Sequence, residues 1–388
     1  MKKEQIVKLV AAIAFGIVFG AAAPDWAIKG ANWLRNVFGG FIRFLVPFII
    51  VGFVTSSIAK AGRSAGRMLL LTLSVALVST VVVGLFAYGI SWGALPFLVK
   101  RMADATADAV SAQGDGFLAT LPTIIALVLA VSAGLVVARR NARREAGLIE
   151  TFKNFVSKVM GKTITPLMPV YIFTVVADMT ASGRIVKMGG DCIKIMAVAI
   201  LTTVVVMVLA YVVAGAVMGL SPLKALGNMM PAYVAGCGSC SSVASIPYTM
   251  RQVRENGVSA TTAELVIPLC SSVHHVGSVA NLVVYAAGVM ILVGGTLSAH
   301  TFIPFILLVA LISFATPGIP GGVAMASASV AGSLLGFTPE QYAIIIAIYI
   351  ALDGVGTACN LTCDGAVAMI VEKLAVKTVI ANRAKGLV

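Results

Sequence analysis

Residues 344–368, IIIAIYIALDGVGTACNLTCDGAVA, decide how the chain is to be read. The run is apolar and long enough to cross a bilayer, which takes about 20 residues. Yet it carries two carboxylates, Asp353 and Asp364, with Thr357 and Asn360 between them. The spacings of 4, 3 and 4 residues place all four within roughly a 60° stripe of one helix face. Gly354 and Gly356 strip side chains from the adjoining surface, so another group can approach the backbone closely. An ionisable residue deep in a membrane helix is expensive and marks a functional site by default. Thr and Asn alone would read as glue between helices. Two aspartates on the same stripe turn the reading towards a cation or substrate site.

The rest of the chain has the same character. Of 388 residues, 59% are hydrophobic and 11% charged, and the mean hydropathy is +1.02. Soluble domains carry about 25% charged residues, so this is an integral membrane protein. Its apolar runs are long and do not alternate, which argues for helices over an outer-membrane barrel. The net charge of +13 comes from basic residues lying between apolar runs. They read as topology signals and contacts to anionic lipid, not as a nucleic-acid surface. Met1-Lys2-Lys3 precedes an apolar run to Ala23 that flows into Trp26 and Trp33 without a convincing cleavage site, so it reads as the first span. The six cysteines, Cys192, Cys237, Cys240, Cys270, Cys359 and Cys363, sit in or beside apolar segments. Cys237-Gly-Ser-Cys240 has redox spacing but no βαβ pattern around it, and a four-cysteine zinc site with Cys359 and Cys363 is weaker still. Packing as small residues is the better account.

Eight spans are expected, at 6–23, 41–59, 68–90, 117–138, a Pro-punctuated fifth ending near Asp178, 193–219, 261–293 and the opening stretch. An amphipathic segment at 147–162 leads into the fifth, and a polar loop fills 91–116. Two regions break the pattern. Residues 221–256 hold apolar patches too short to cross, interrupted by Pro231, a Gly/Ser/Cys cluster and Pro247; residues 301–336 are broken at Thr316-Pro317-Gly318-Ile319-Pro320-Gly321-Gly322. Non-helical backbone at membrane depth is tolerated only where protein or water satisfies its polar groups. Both regions therefore read as re-entrant helical hairpins, the first with its tip at 236–246. The four arginines at 139–144, the 60–67 cluster and both termini fall inside, while Lys29, Arg35 and Arg43 sit awkwardly outside.

Paired short, Gly/Pro-broken apolar segments point to the binding site of a secondary transporter. A broken helix presents bare N–H groups at one end, suited to a carboxylate, and bare C=O groups at the other, suited to Na⁺. The breaks at 236–246, 271–278 and 313–322 and the stripe of the last span would together build one central site.

These residues resemble a known family. Gly238-Ser239-Cys240-Ser241-Ser242-Val243-Ala244-Ser245-Ile246-Pro247 is similar to the serine-rich first hairpin of the dicarboxylate/amino acid:cation symporters, which include glutamate and neutral amino-acid transporters. Ser313-Phe314-Ala315-Thr316-Pro317-Gly318-Ile319-Pro320-Gly321 resembles the second hairpin tip, Asn360-Leu361-Thr362-Cys363-Asp364 the last-helix signature, and Phe41-Ile42-Arg43-Phe44-Leu45-Val46-Pro47 the second span. The motifs occur in the family's order over nearly the whole chain.

The resemblance implies an all-α membrane protein of eight transmembrane helices and two re-entrant hairpins that works as an elevator, as a homotrimer in the plasma (inner) membrane with both termini cytoplasmic. Scaffold parts would be 1–61 and 117–190, and the transport domain 62–116 and 191–388. It implies a substrate pocket of Ser241, Ser242, Ser278, Gly318, Ile319, Asp353, Thr357 and Asn360, with Asp353 the partner of an amino group. One Na⁺ would be held by Asn360 and Asp364 with carbonyls near Cys270 and His274. A second would be held by carbonyls at Ser272, Ser313, Phe314 and Thr316 with His275 nearby. No enzyme activity and no cofactor are implied beyond the coupling ion, Na⁺ or H⁺; the partners are a small-molecule substrate and membrane lipid.

Departures from the family pattern sharpen this. His274-His275-Val276-Gly277-Ser278 stands where the family usually reads Asn-Met-Asp-Gly-Thr, so a third-site carboxylate is Val276. The third-span positions that would complete that site read as Leu73, Ala76 and Leu77, and a third sodium site is expected to be absent. Gly356 stands where acidic-substrate members carry an arginine, and Tyr349 where an aspartate usually precedes Asp353. Without a bidentate partner for a second carboxylate, a neutral amino acid is favoured over a dicarboxylate. His274 and His275 read either as hydrogen-bonded packing or as a proton-coupling group, and His300 as a surface residue.

Two other classes remain in view. An intramembrane protease needs an Asp353/Asp364 dyad or a Ser241–His274 pair. Eleven residues of helix separate the aspartates by about 16 Å, whereas a dyad must share a proton. The Ser–His pair stays open but leaves two hairpins unexplained. A channel would suit the broken spans, but nothing repeats like a filter.

Overall fold

The computed structural model describes residues 3–60, 66–100, 125, 129–130, 132–134, 136–137, 143–159, 162–163, 165–314, 316 and 321–384. Among these residues every regular element is helical. Helices α1 (Lys3–Ala22), α2 (Asp25–Lys60) and α3 (Gly66–Leu98) open the chain, followed by α4 (Arg143–Val159), α5 (Thr165–Ala181) and α6 (Arg184–Met218). The expected third span thus continues through residues 91–98 of the expected polar loop, and residues 101–124 of that loop and of the fourth span lie outside the described residues. The amphipathic segment at 147–162 is the core of α4.

The region 221–256 folds as helix, break, helix. Helices α7 (Pro222–Asn228) and α8 (Met230–Ser239) form the first arm, a 3₁₀ turn covers Val243–Ser245, and α9 (Ile246–Glu255) forms the second arm. Cys240 ends α8 in the left-handed region at φ 48°, a conformation uncommon outside glycine. The expected seventh span is likewise two helices, α10 (Ala260–Val273) and α11 (Val276–Leu292), separated by His274 and His275. Ser259 caps α10 by accepting from the Thr262 N–H. Helices α12 (Ala299–Ser313), α13 (Gly322–Ala326) and α14 (Ala328–Leu335) make the second broken pair, whose tip residues 317–320 lie outside the described residues.

The last span departs from expectation. It is two helices, α15 (Pro339–Ala351) and α16 (Asp353–Ala384), with Leu352 between them. Pro339 and a capping box of Thr338 and Gln341 start α15. All four stripe residues fall on α16, so their common face survives, but Asp353 now occupies the first turn of a helix. A carboxylate there is favoured by the unpaired N–H groups and by the helix dipole.

Four helical segments among the described residues are long and apolar enough to cross a bilayer: Met68–Leu98, Gly189–Met218, Ala260–Leu292 and Asp353–Ala375. The outer helices turn apolar side chains outward, Phe15, Trp33, Val78 and Val213 among them, while α11 is buried along its whole length. Helices α1, α2, α4 and α5 pack on one another; α16 packs on α6, α8, α10 and α11, and α3 lies along α11 and α12.

Two glycines let the backbones of this second group meet. A Cβ on Gly277 would lie 2.6 Å from both Cys359 Cβ and the Gly356 carbonyl, and one on Gly354 would lie 2.7 Å from the Cys237 carbonyl. Such contacts between small residues are how membrane helices approach closely. Gly277→Val is therefore expected to lower stability by about 1–3 kcal/mol through overpacking, read as a reduced melting temperature of the detergent-solubilised protein. Gly238→Ala, whose Cβ would meet nothing within 4 Å, should melt like the parent.

Candidate functional site

The start of α16 is where the breaks converge. Asp353 is buried at 7% exposure, and one of its carboxylate oxygens accepts from the Gly321 N–H at 3.2 Å, where the second broken pair resumes. The end of α8 presses on Gly354 through the Cys237 carbonyl and Cys240 Sγ. Asp353 thus faces the first helical break on one side and the second on the other. At the first break, the Ser239 and Ser245 hydroxyls lie 2.9 Å apart, and Ser239 Oγ accepts from the Ser241 N–H at 3.3 Å. Ser242 is buried and Ser241 half-buried. Thr357, also buried, is one turn further along α16. Gly318 and Ile319 lie outside the described residues.

Asn360 supports the middle break. Its Oδ1 accepts from the Gly277 N–H at 2.8 Å and the Ser278 N–H at 3.2 Å, and its Nδ2 donates to Ser278 Oγ at 3.0 Å. The first N–H groups of any helix lack intrahelical partners. Here a side chain from another helix supplies the cap that α11 lacks, since His275 at its N-cap makes no side-chain cap bond. Ser278 and Asn360 are therefore brought together.

One turn further along α16, Asp364 is fully buried. Its Oδ1 lies 2.7 Å from His274 Nδ1, while Oδ2 is buried without a hydrogen-bond partner. His274 Nε2 lies 2.9 Å from Ser79 Oγ on α3, and that hydroxyl also lies 3.0 Å from the Ala76 carbonyl. The Ala76 carbonyl also accepts from the Thr80 hydroxyl at 2.7 Å, so two arrangements fit these contacts: Ser79 donates to Nε2, or it donates to Ala76 and accepts from Nε2–H. In the first arrangement the Nδ1–H of a neutral imidazole donates to the carboxylate. In the second the Nδ1–Oδ1 contact holds a further proton, and the pair is neutral overall. Cys270 completes the group: its Sγ, the His274 ring and the Asp364 carboxylate each offer an atom within 4.8 Å of the others.

The remaining expected ion ligands are more scattered. His275 is buried beside the Ser313 and Val273 backbones, yet neither ring nitrogen closes a hydrogen bond of good geometry. The Ser313 and Thr316 hydroxyls turn back onto the Ala310 and Ile312 carbonyls. Phe314 is half-buried at the end of α12, and the Ser272 side chain is exposed. His275 and Ser313 are brought together; the Ser272 side chain faces away.

Two features escape a reading of the sequence. Ser79 is one: on the third span only Leu73, Ala76 and Leu77 were singled out, as positions of a third sodium site expected to be absent, whereas the hydroxyl that meets His274 is one turn beyond Ala76. The other is the polar face of α11, where Ser278, Asn281 and Tyr285 recur at spacings of 3 and 4, a periodicity that marks one helix face. Asn281 Nδ2 would lie 3.1 Å from a Cβ on Gly356, so its amide borders the place left by the arginine this chain lacks. Asn281 Oδ1 and Tyr285 Oη are buried without partners.

Broken helices meeting at buried carboxylates, inside a multi-pass helical membrane protein, define a transporter of small solutes. The chain belongs to the sodium:dicarboxylate symporter family, whose profile matches residues 6–374. Members of that family are transporters and not enzymes, which sets aside the protease reading. Comparison with curated proteins gave no match.

Because Asn360 satisfies two N–H groups and one hydroxyl, Asn360→Ala is expected to destabilise the protein by about 1–3 kcal/mol, the scale for leaving a buried polar group unpaired. Asn360→Asp, which keeps the acceptor, should recover part of the loss in the same thermal-melt measurement.

Proposed function

We propose that the protein is a cation-coupled secondary symporter for a small neutral amino acid, with Na⁺ as the coupling ion. The observation that carries the reading is the pair of buried carboxylates on α16, Asp353 facing the two helical breaks and Asp364 with one oxygen unpartnered. A buried carboxylate is tolerated only when paired or neutralised. A substrate ammonium group suits Asp353, where it would compete with the Gly321 N–H, and a cation suits Asp364. The break at Ser241–Ser242 would supply backbone N–H groups for the substrate carboxylate, joined, as the resemblance implies, by Gly318 and Ile319. Ser278, Thr357 and Asn360 complete the pocket. The second cation goes to the carbonyls around Ser272, Ser313, Phe314 and Thr316.

Glycine at 356 bordered by Asn281 favours a neutral side chain over a second carboxylate, because no guanidinium is available to pair it. Alternating access would come from α3 and α6–α16 moving as an elevator against a scaffold of α1, α2, α4 and α5, in a homotrimer in the inner membrane with both termini cytoplasmic. The packing of each group on itself supports that division.

A second reading concerns the ion. The Ser79–His274–Asp364 chain of contacts can hold a proton between the imidazole and the carboxylate, which supports H⁺ at that carboxylate in place of Na⁺. The titratable groups around the imidazole and its carboxylate are Asp364 and Cys363 from α16, Cys270 and His275 from its own span and Tyr211 from α6; α3 contributes Ser79 and apolar side chains to the cavity beside it.

Uptake into proteoliposomes under imposed Na⁺ or H⁺ gradients, across neutral and acidic amino acids and dicarboxylates, tests both readings. Accumulation of a neutral amino acid driven by Na⁺ is expected, with Asp364→Asn weakening the Na⁺ dependence about tenfold or more. Failure of every solute to accumulate under either gradient would refute symport. Under the H⁺ reading, uptake falls as the external pH rises and His274→Gln flattens that profile; an unchanged profile removes His274 from coupling. Gly356→Arg combined with Asn281→Ala should shift preference towards dicarboxylates, and tight dicarboxylate binding by the parent would contradict the neutral-substrate assignment.

A further inference from the structure

Cys270, His274 and Asp364 form a donor set of a kind that sodium does not ask for. Na⁺ is a hard cation suited to oxygen, and the sodium site implied by the resemblance uses the backbone carbonyls near Cys270 and His274. Here the side chains themselves converge, a thiol, an imidazole and a carboxylate within 4.8 Å of one another and all buried. Sulfur and imidazole nitrogen select borderline and soft metals, zinc and cadmium above all.

Three further observations point to a ligand. Cys270 and His274 are four residues apart at the end of α10, and the His274 N–H donates to the Cys270 carbonyl at 2.8 Å, so the backbone holds both donors on one side. Asp364 Oδ2 is fully buried and has no hydrogen-bond partner. Ser79 Oγ lies 2.9 Å from Nε2 and 3.0 Å from the Ala76 carbonyl, so it can accept from Nε2–H while its own proton goes to Ala76. That bond sets the tautomer whose Nδ1 lone pair is free once the shared proton leaves, the outer-shell arrangement that metal-binding histidines require.

We propose that Cys270 Sγ, His274 Nδ1 and the Asp364 carboxylate bind one thiophilic divalent cation of the zinc class. Binding displaces two protons, one from the thiol and one from the Nδ1–Oδ1 contact. The charges balance: thiol, imidazole and carboxylate with their shared proton sum to zero, and so do thiolate, imidazole, carboxylate and a divalent ion. A site with no exposed surface needs that neutrality. Tetrahedral zinc bonds of about 2.0–2.3 Å put ligand atoms roughly 3.5 Å apart. The nitrogen and oxygen, now 2.7 Å apart, therefore open slightly, and the sulfur, within 4.8 Å of both residues' ligand atoms, closes on them. The fourth position is left for water. The site stands whether or not the protein couples transport to Na⁺.

The test is Cd²⁺ titration of the purified full-length protein in detergent, followed by the ultraviolet thiolate-to-metal band and by proton release. One equivalent of Cd²⁺ and two protons per ion are expected. Cys270→Ser should abolish the band, and His274→Gln and Asp364→Asn should weaken binding tenfold or more. Ser79→Ala, which touches no metal, should weaken it about 10–100-fold through the lost outer-shell bond. The double variant Cys237→Ser/Cys240→Ser should bind like the parent. No band in the parent, or a band that survives Cys270→Ser, overturns the proposal. If Cys270→Ser does not fold, ¹¹³Cd NMR of the parent decides: a shift characteristic of one sulfur ligand supports the site, and a shift characteristic of two sulfurs overturns it.

Discussion

A carboxylate with no exposed surface has to be neutralised where it stands, and Asp364 imposes that requirement on its surroundings. An isolated charge at such a site costs several kcal/mol even after relaxation. His274 meets it from the gap between α10 and α11 at 2.7 Å, and Ser79 orients His274 from α3. Three separate stretches of chain are thereby tied to one carboxylate. At the gap, His274 and His275 leave helical geometry, and the His274 ring lies against Asp364.

Breaking a helix at that depth leaves backbone groups that must find partners, and the partners come from α16. Asn360 accepts the first N–H groups of α11, and Asp353 accepts the Gly321 N–H beyond the second break. Both rely on backbones approaching more closely than side chains would allow, which Gly277 and Gly354 permit. The same glycines that build the packing leave polar atoms facing inward. Binding chemistry and helix packing are thus two uses of one set of contacts, and the substrate and ion roles proposed for α16 are credible because its polar residues are held at fixed positions.

Much of this was legible in the residues. The stripe Asp353, Thr357, Asn360 and Asp364 follows from helix periodicity alone, and the breaks near 240, 274 and 317 were marked by Gly, Pro, Ser and paired His in otherwise apolar runs. The interruption at Leu352 was not legible, because nothing in Ala351-Leu352-Asp353 is a helix breaker. Ser79 was missed because a serine in a long apolar helix looks the same whether it meets only its own backbone, as Thr80 does, or meets another helix as well, as Ser79 does. Asn281 was missed for a similar reason, since its importance depends on lying across from Gly356.

The sequence by itself determined the class of protein. Its hydropathy demands a bilayer, its interrupted spans demand internal partners for the backbone, and its buried acids demand a counter-charge. These are consequences of solvation and periodicity, which act locally along the chain. Which atom answers each demand was decided only by tertiary structure: Ser79 for His274, His274 for Asp364, Asn360 for the start of α11, Gly321 for Asp353. Those pairings join residues 32 to 195 positions apart. Hydrogen bonds act over about 3 Å, so only the packed fold brings such partners within reach.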